Sequence, residues 1–246
     1  MAKLWFIRHG QASFGQNNYD CLSPVGILQS EILGDYLLKT QVHFDAIYSG
    51  HMKRQKDTAK LVLEKLGAQK MLTPENQLSG FDEYDFKAII QGQLPDLMRE
   101  MDLTQKELDK IWSDNKAFQR VFAKILTRWM AGTHDVQGVE TFKAYLVRVR
   151  QGIDTVLEKS NQGEQIAIFT SGGVITAGLQ MGLDLTDARA RQLGWQIKNT
   201  SLTCLRGFLC APGKNFCDAG PELELTLFNS TAHLDLEQNA QLITYR

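Results

Sequence analysis

The chain of 246 residues lacks an excess of charge of either sign: 27 basic residues stand against 28 acidic ones, for a formal net charge of −1. Binding to DNA, RNA or an anionic membrane by bulk electrostatics is therefore excluded as an expectation, although balanced totals leave room for a small cluster of like charge. No apolar run approaches the length of a membrane span. Only four apolar residues separate Lys3 from Arg8, too few for a signal-peptide core, so a cytoplasmic protein is expected. The four cysteines, Cys21, Cys204, Cys210 and Cys217, form neither a CxxC pair nor a zinc spacing, and a chain of this length needs no disulfide to hold a core. They read as free thiols. With 43% apolar and 22% charged residues, what remains is one globular domain, or a domain carrying an insertion.

Leu4-Trp5-Phe6-Ile7 is a short apolar run that ends abruptly in Arg8-His9-Gly10, as a buried parallel strand does on entering a loop. Ser23-Pro24 places a capping hydroxyl before a proline at the first helical position. Val25, Leu28, Ile32 and Tyr36 follow at helical spacing, which predicts a helix over Ser23–Lys39. Phe44–Ser49 reads as a second strand and Met52–Leu66 as a second helix, stopped by Gly67. This is the opening of a parallel α/β sheet. From about Tyr84 to Gln162 the pattern is helical. Thr104 to Glu107 has capping-box spacing, and apolar stripes run through Phe118, Val121, Phe122, Ile125 and Trp129 and through Phe142, Leu146, Val149, Ile153 and Val156. Those stripes are read as core. Strand–helix alternation resumes at Gln165–Thr170, which runs into Ser171-Gly172-Gly173 and a helix from Val174 to Met181. Strands over Leu202–Leu209 and Leu223–Phe228 close the chain around a Gly/Pro/Asn loop from Ala211 to Pro221.

Four strand ends thus carry polar residues: Arg8-His9-Gly10, Ser49 leading to Arg54, Asp82-Glu83, and Ser171-Gly172-Gly173. In a parallel sheet these ends share one face. Two guanidiniums, an imidazole, a carboxylate and a Gly-rich helix start suit a phosphoryl group: bidentate hydrogen bonds and oriented N–H groups hold the oxygens, and the imidazole is a nucleophile or acid/base. Taken singly, each has a plainer reading, as a satisfied polar group, a solvated side chain or a tight turn; the joint arrangement carries the argument.

These motifs resemble the histidine phosphatase superfamily, the phosphoglycerate mutase-like proteins. Arg8-His9-Gly10 matches its RHG signature, Leu22-Ser23-Pro24-Val25-Gly26 the following helix start, and Tyr48-Ser49, Arg54 and Thr58-Ala59 its next block. Phe81–Phe86 resembles the segment supplying the acid, Gly138–Phe142 with Arg148 a later helix, and Phe228-Asn229 through His233-Leu234 the closing strand. The resemblance implies a three-layer α/β/α sandwich around a mostly parallel sheet, with a helical insertion at about 84–138 that roofs the pocket. It also implies a phosphatase acting on a small phosphorylated metabolite. His9 would form a phosphohistidine, Arg8 and Arg54 would hold the equatorial oxygens, and Glu83 would be the general acid and then the base. Ser13, Ser171 and Gly172 would join Arg8 and Arg54 in binding substrate. No metal or cofactor is implied, since the arginines supply the positive charge. No nucleic-acid or membrane partner is expected, and the oligomeric state is left open.

Two positions depart from the pattern. The family's second pocket histidine, in a sequence like VSHGG, is replaced here by Ser171 in Phe169-Thr170-Ser171-Gly172-Gly173. Loss of a donor aimed at the transferring group predicts turnover slowed by about a hundred- to a thousandfold if nothing replaces it. An asparagine of the RHGExxWN pattern is replaced by Gly15; Ser13, Gln16 or Asn17 are candidates to compensate, and His51 and His233 are further imidazoles to place. Phosphoglycerate mutase-type phosphotransfer is the enzymatic alternative, and a phosphate-binding protein without turnover is the alternative of another class. Arg99, Lys106, Arg120 and Arg128 are candidates to meet a second anionic group.

Overall fold

A computed structural model of the chain describes residues 1–13, 20–102, 104, 114–208 and 222–245. The Thr104–Glu107 capping box, Gly15, Gln16, Asn17, Lys106, Cys210, Cys217, the loop from Ala211 to Pro221 and the side chain of Phe118 lie outside the described residues.

The chain divides into two compact units, Met1–Glu83 with Arg148–Arg246, and Tyr84–Val147. The first is built on strands β1 (Ala2–Arg8), β2 (Ala46–Ser49), β3 (Gln165–Thr170), β4 (Leu202–Phe208) and β5 (Glu222–Ser230), in the order β2-β3-β1-β4-β5. β1, β2 and β3 are mutually parallel where they pair, and β4 and β5 are antiparallel additions. The parallel strands are buried on both faces, which is why they read as unbroken apolar runs. Alternate residues divide between two cores. Trp5, Ile7, Ala167 and Phe169 meet Leu33, Leu37, Val62 and Leu63 of α1 (Pro24–Lys39) and α2 (Lys53–Leu66). On the other face, Phe6, Leu205 and Ile153 all lie against Gly178 of a helix spanning Gly172–Gly182. The sheet is thus covered on both sides, an α/β/α arrangement.

Local chemistry explains the element ends. Ser23 accepts the Gly26 N–H at 3.0 Å ahead of Pro24, and Gly67 closes α2 at φ +67°. Helix α1 has the predicted extent, and its buried face includes small and polar residues beside leucines. Leu28 is 45% exposed, whereas Gly26, Gln29, Ser30, Leu33, Gly34 and Leu37 are buried. The cause is close backbone packing: a Cβ on Gly26 would lie 2.1 Å from the Gln11 carbonyl oxygen, and Gln29 accepts the Gln11 N–H at 2.8 Å. Small and hydrogen-bonding residues win that face over aliphatic ones. Asp82-Glu83 differs from expectation: it follows a 3₁₀ turn, Ser79–Phe81, rather than a strand, with a single parallel bridge between Ser49 and Gln77 ahead of it.

The second unit is helical. α3 (Phe86–Glu100) is capped by Asp85, which accepts the Lys87 and Ala88 N–H groups, and α4 (Asn115–Ala131) follows. α5 (Phe142–Glu158) begins in this unit and continues into the first. Trp129 packs on Tyr84, Phe142 and Tyr145 with ring centroids 4.9–5.7 Å apart. Arg128 is ion-paired to Glu100, and Arg99 to Asp96. Beyond α5 lie α6 (Gly172–Gly182), α7 (Asp187–Gly194) and α8 (Ala232–Asp235). No helix among the described residues is long and apolar enough to cross a membrane.

Candidate active site

β1 and β3 end in register, with Arg8 opposite Thr170, and the His9 N–H donates to the Thr170 carbonyl at 2.9 Å. His9 therefore emerges beside Ser171 at the carboxyl ends of the parallel strands. Its backbone is fixed on the other side as well, where Asn199 Nδ2 donates to the His9 carbonyl at 3.0 Å and the Thr200 N–H donates to the Arg8 carbonyl at 3.1 Å. The next residue, Gly10, gives its N–H to Thr58 Oγ1 at 3.0 Å, and a Cβ there would meet the Gly26 carbonyl oxygen at 2.3 Å. Only glycine fits between the end of β1 and α1.

His9 is 4% exposed. Nδ1 lies 2.7 Å from the Gly10 carbonyl and so carries the proton, while Nε2 accepts from Arg54 Nε at 3.1 Å. Burial, and then the Arg54 and Arg8 guanidiniums, hold its pKa well below the ordinary histidine value. The imidazole is neutral, with a defined tautomer and its Nε2 lone pair facing a guanidinium. That is the form a nucleophile needs.

Arg54 is itself 4% exposed and is held by Asp20, whose Oδ1 accepts from Arg54 Nη1 at 2.9 Å. The same carboxylate accepts the Lys53 N–H at 2.8 Å and the Arg54 N–H at 3.4 Å. Met52, at the head of α2, has no side chain able to cap it, so Asp20 does so from another loop. Arg8 donates through Nη1 to the Ile197 carbonyl, and Gly172 lies alongside its guanidinium, where an added Cβ would sit 3.7 Å from Nε.

Glu83 Oε2 accepts the Gly173 N–H in the first turn of α6 at 3.0 Å. Its loop is anchored by Arg148 Nη1, which donates to the carbonyls of Ser79 and Asp82. His51 pairs with Asp82, its Nδ1 3.0 Å from Oδ2, at the exposed edge of this loop. Ser171 is fully buried and accepts from Gln55 Nε2 at 2.8 Å. Ser13 uses its hydroxyl on the Leu22 carbonyl at 3.2 Å. His233 is buried elsewhere, with Nε2 3.0 Å from Thr200 Oγ1, and the Thr200 N–H in turn donates to the carbonyls of Arg8 at 3.1 Å and His9 at 3.4 Å. Asp20, Gln55, Thr58 and Asn199 complete the surroundings of the site. Thr58 was visible in the motif block. The other three act across the fold and left no local signal. Among the described residues, no group of three or more His, Cys, Asp or Glu side chains is placed to hold a metal ion.

A neutral buried imidazole under two arginines, with a carboxylate at a neighbouring helix N-terminus, is a site shaped for a tetrahedral oxyanion, and it sits where open α/β sheets place their chemistry. The model of the histidine phosphatase superfamily (branch 1) matches residues 4–209, and the chain belongs to that family. A candidate phosphoserine phosphatase of Hydrogenobacter thermophilus is 26% identical over 183 residues, 72% of this chain and 76% of that one. Among solved structures, a phosphoglycerate mutase from Bacillus anthracis aligns over 97% of both chains with a TM-score of 0.64 at 18% identity. A mycobacterial glucosyl-3-phosphoglycerate phosphatase with inorganic phosphate aligns over 94% of this chain and 98% of its own, with a TM-score of 0.61 at 21% identity. The fold is that of the phosphoglycerate mutase-like proteins, and the enzyme class is that of the phosphatases.

Proposed function

We propose that the protein hydrolyses a small phosphorylated metabolite through a phosphohistidine on His9. The observation that carries this reading is the state of the imidazole: protonated at Nδ1 on the Gly10 carbonyl, and unprotonated at Nε2, which accepts from Arg54 Nε. In the first step Nε2 attacks phosphorus in line, the P–O bond to the leaving group breaks, and Glu83 delivers a proton to the departing oxygen. In the second, Glu83 takes a proton from water, the water oxygen attacks phosphorus, and the P–N bond breaks to return neutral His9 and inorganic phosphate. Arg8 and Arg54 hold the equatorial oxygens and offset the charge that builds on them.

Support comes from the placement of each group. Arg54 bonds the nucleophile directly, Asp20 fixes Arg54, and Glu83 sits on the N-terminus of α6 next to Gly172, which borders Arg8. The Hydrogenobacter relative carries a phosphoserine phosphatase name, in keeping with a small phosphomonoester as substrate.

The test is hydrolysis of p-nitrophenyl phosphate and of a panel of phosphorylated metabolites by the wild type and by His9→Ala. Hydrolysis lost in the variant supports the proposal. Binding of phosphate without His9-dependent turnover on any substrate favours a phosphate-binding role, and rapid interconversion of 3- and 2-phosphoglycerate favours a mutase.

A further inference from the structure

Two hydrogen bonds orient the His9 ring: Arg54 Nε donates to Nε2 at 3.1 Å, and Nδ1–H donates to the Gly10 carbonyl oxygen at 2.7 Å. That oxygen belongs to the peptide unit between Gly10 and Gln11. The unit is planar and trans, so the Gln11 N–H leaves the same plane from the opposite edge. It donates to Gln29 Oε1 at 2.8 Å, and Gln29 is fully buried on α1. One rigid plane therefore joins the amide of Gln29 to the proton on the imidazole. Glycine precedes that plane because a Cβ would meet the Gly26 carbonyl oxygen, yet glycine resists rotation of the backbone least. What grips the edges of the plane decides where the Gly10 oxygen points.

The Gln29 amide has one orientation. Its Nε2 donates to the Leu242 carbonyl at 2.7 Å and to Thr244 Oγ1 at 2.8 Å, which leaves Oε1 for Gln11. Turned over, the amide would set donor against donor. Thr244 Oγ1 accepts from Gln29 and so gives its own hydrogen to Asn199 Oδ1 at 2.9 Å, while Asn199 Nδ2 donates to the His9 carbonyl at 3.0 Å. The Asn199 N–H also donates to the Thr244 carbonyl at 2.9 Å. Residues 242–244 thus reach the nucleophile's loop at two points: the Gln11 N–H through Gln29, and the His9 carbonyl through Asn199.

We propose that Gln29 is a positioning residue for the nucleophile: it locks the Gly10–Gln11 peptide plane so that the Gly10 carbonyl holds the proton on His9 Nδ1, and Thr244 sets the orientation of its amide. The inference rests on the reading of His9 as nucleophile. Gln29 touches neither substrate nor the reacting atoms. Without its oxygen the Gln11 N–H loses its acceptor, and the peptide turns toward another, carrying the Gly10 oxygen away from Nδ1. The ring then loses one of its two fixed points, and with it the alignment that in-line attack requires.

The experiment uses the full chain and two readouts. One is steady-state hydrolysis of p-nitrophenyl phosphate. The other is the NMR signal of the His9 Nδ1–H in protein carrying isotope-labelled histidine, identified by its absence from His9→Ala. Gln29→Met keeps the volume and removes the acceptor. It should lower kcat by about a hundredfold with KM little changed, and should shift or broaden the Nδ1–H signal. Thr244→Val, at a half-buried position, should lower kcat on the order of tenfold, and Thr244→Ser should restore it. Wild-type kcat in Gln29→Met, an unchanged Nδ1–H signal there, or Thr244→Ser as slow as Thr244→Val would each overturn the inference. The threonine pair keeps the test decisive should Gln29→Met fail to fold. Activity retained in His9→Ala would instead remove the proposed function itself, whereas the NMR comparison needs no turnover, so the two failures are distinct.

Discussion

His233 makes a sharp prediction about stability and pH. It is buried with Nε2 on Thr200 Oγ1, its ring centroid is 5.9 Å from that of Tyr36, and Nδ1 has no hydrogen-bond partner among the described residues. Burial lowers its pKa from 6.5 to about 4, with the nearby Asp235 carboxylate opposing only part of the shift. A folded-state pKa below the unfolded one means that the unfolded chain binds the extra proton. The contribution is fully present above pH 6.5 and is lost as pH falls through the window from 6.5 to 4. At 1.36 kcal/mol per pH unit of difference, the loss reaches roughly 2 kcal/mol by pH 5 and about 3.4 kcal/mol below pH 4. His9 contributes in the same direction, so the informative quantity is the difference between wild type and His233→Gln, which keeps a polar atom toward Thr200 but cannot titrate. Urea unfolding at pH 7.5 and pH 5 should show the wild type losing about 2 kcal/mol more than the variant between the two. Parallel losses would refute the reasoning. Because the Thr200 N–H bonds the Arg8 carbonyl, protonating His233 should also loosen the end of β1 before global unfolding.

Three further outcomes follow from the site. Glu83→Gln should lower kcat/KM for an alkyl phosphate by about a hundredfold or more while changing p-nitrophenyl phosphate far less, since only the poor leaving group needs the proton; an equal loss on both would argue against a general acid there. Asp20→Asn should reduce kcat/KM on the order of tenfold, as one hydrogen bond to a charged group is weakened, and should cost about 1 kcal/mol of stability by weakening the cap of α2; unchanged kinetics would show that Arg54 is held without it. Gly26→Ala should destabilise the fold by about 3 kcal/mol or more, because its Cβ would lie 2.1 Å from a backbone carbonyl oxygen; an unchanged thermal midpoint would contradict that packing.

The elements that the sequence displays most clearly are those whose signals are local. Ser23-Pro24 and Gly67 mark helix ends by side-chain chemistry and backbone freedom, and the buried strand Gln165–Thr170 has the predicted bounds. The ends of β1 and β3 were legible for the same reason, since an apolar run stopping at a polar residue is visible without a neighbour. What escaped depends on partners far along the chain. Asp20 caps a helix that begins 33 residues later, Gln55 bonds a serine 116 residues away, and Asn199 reaches His9 across 190. On α1, close backbone approach buries Gly26 and Gly34, small residues that hydrophobic periodicity does not pick out. Asp82-Glu83, read as a strand end, instead follows a 3₁₀ turn held by contacts that the local sequence does not display.

The central claim is that His9 carries the phosphoryl group. The measurement that tests it most directly is an alkaline quench of the enzyme during turnover of p-nitrophenyl phosphate, followed by peptide mass spectrometry. The account predicts a phosphorylated histidine in the peptide containing Arg8-His9-Gly10, formed at a rate no slower than steady-state turnover and absent from His9→Ala. Turnover at the wild-type rate in His9→Ala, or a phosphoryl group trapped on any other residue, would contradict it.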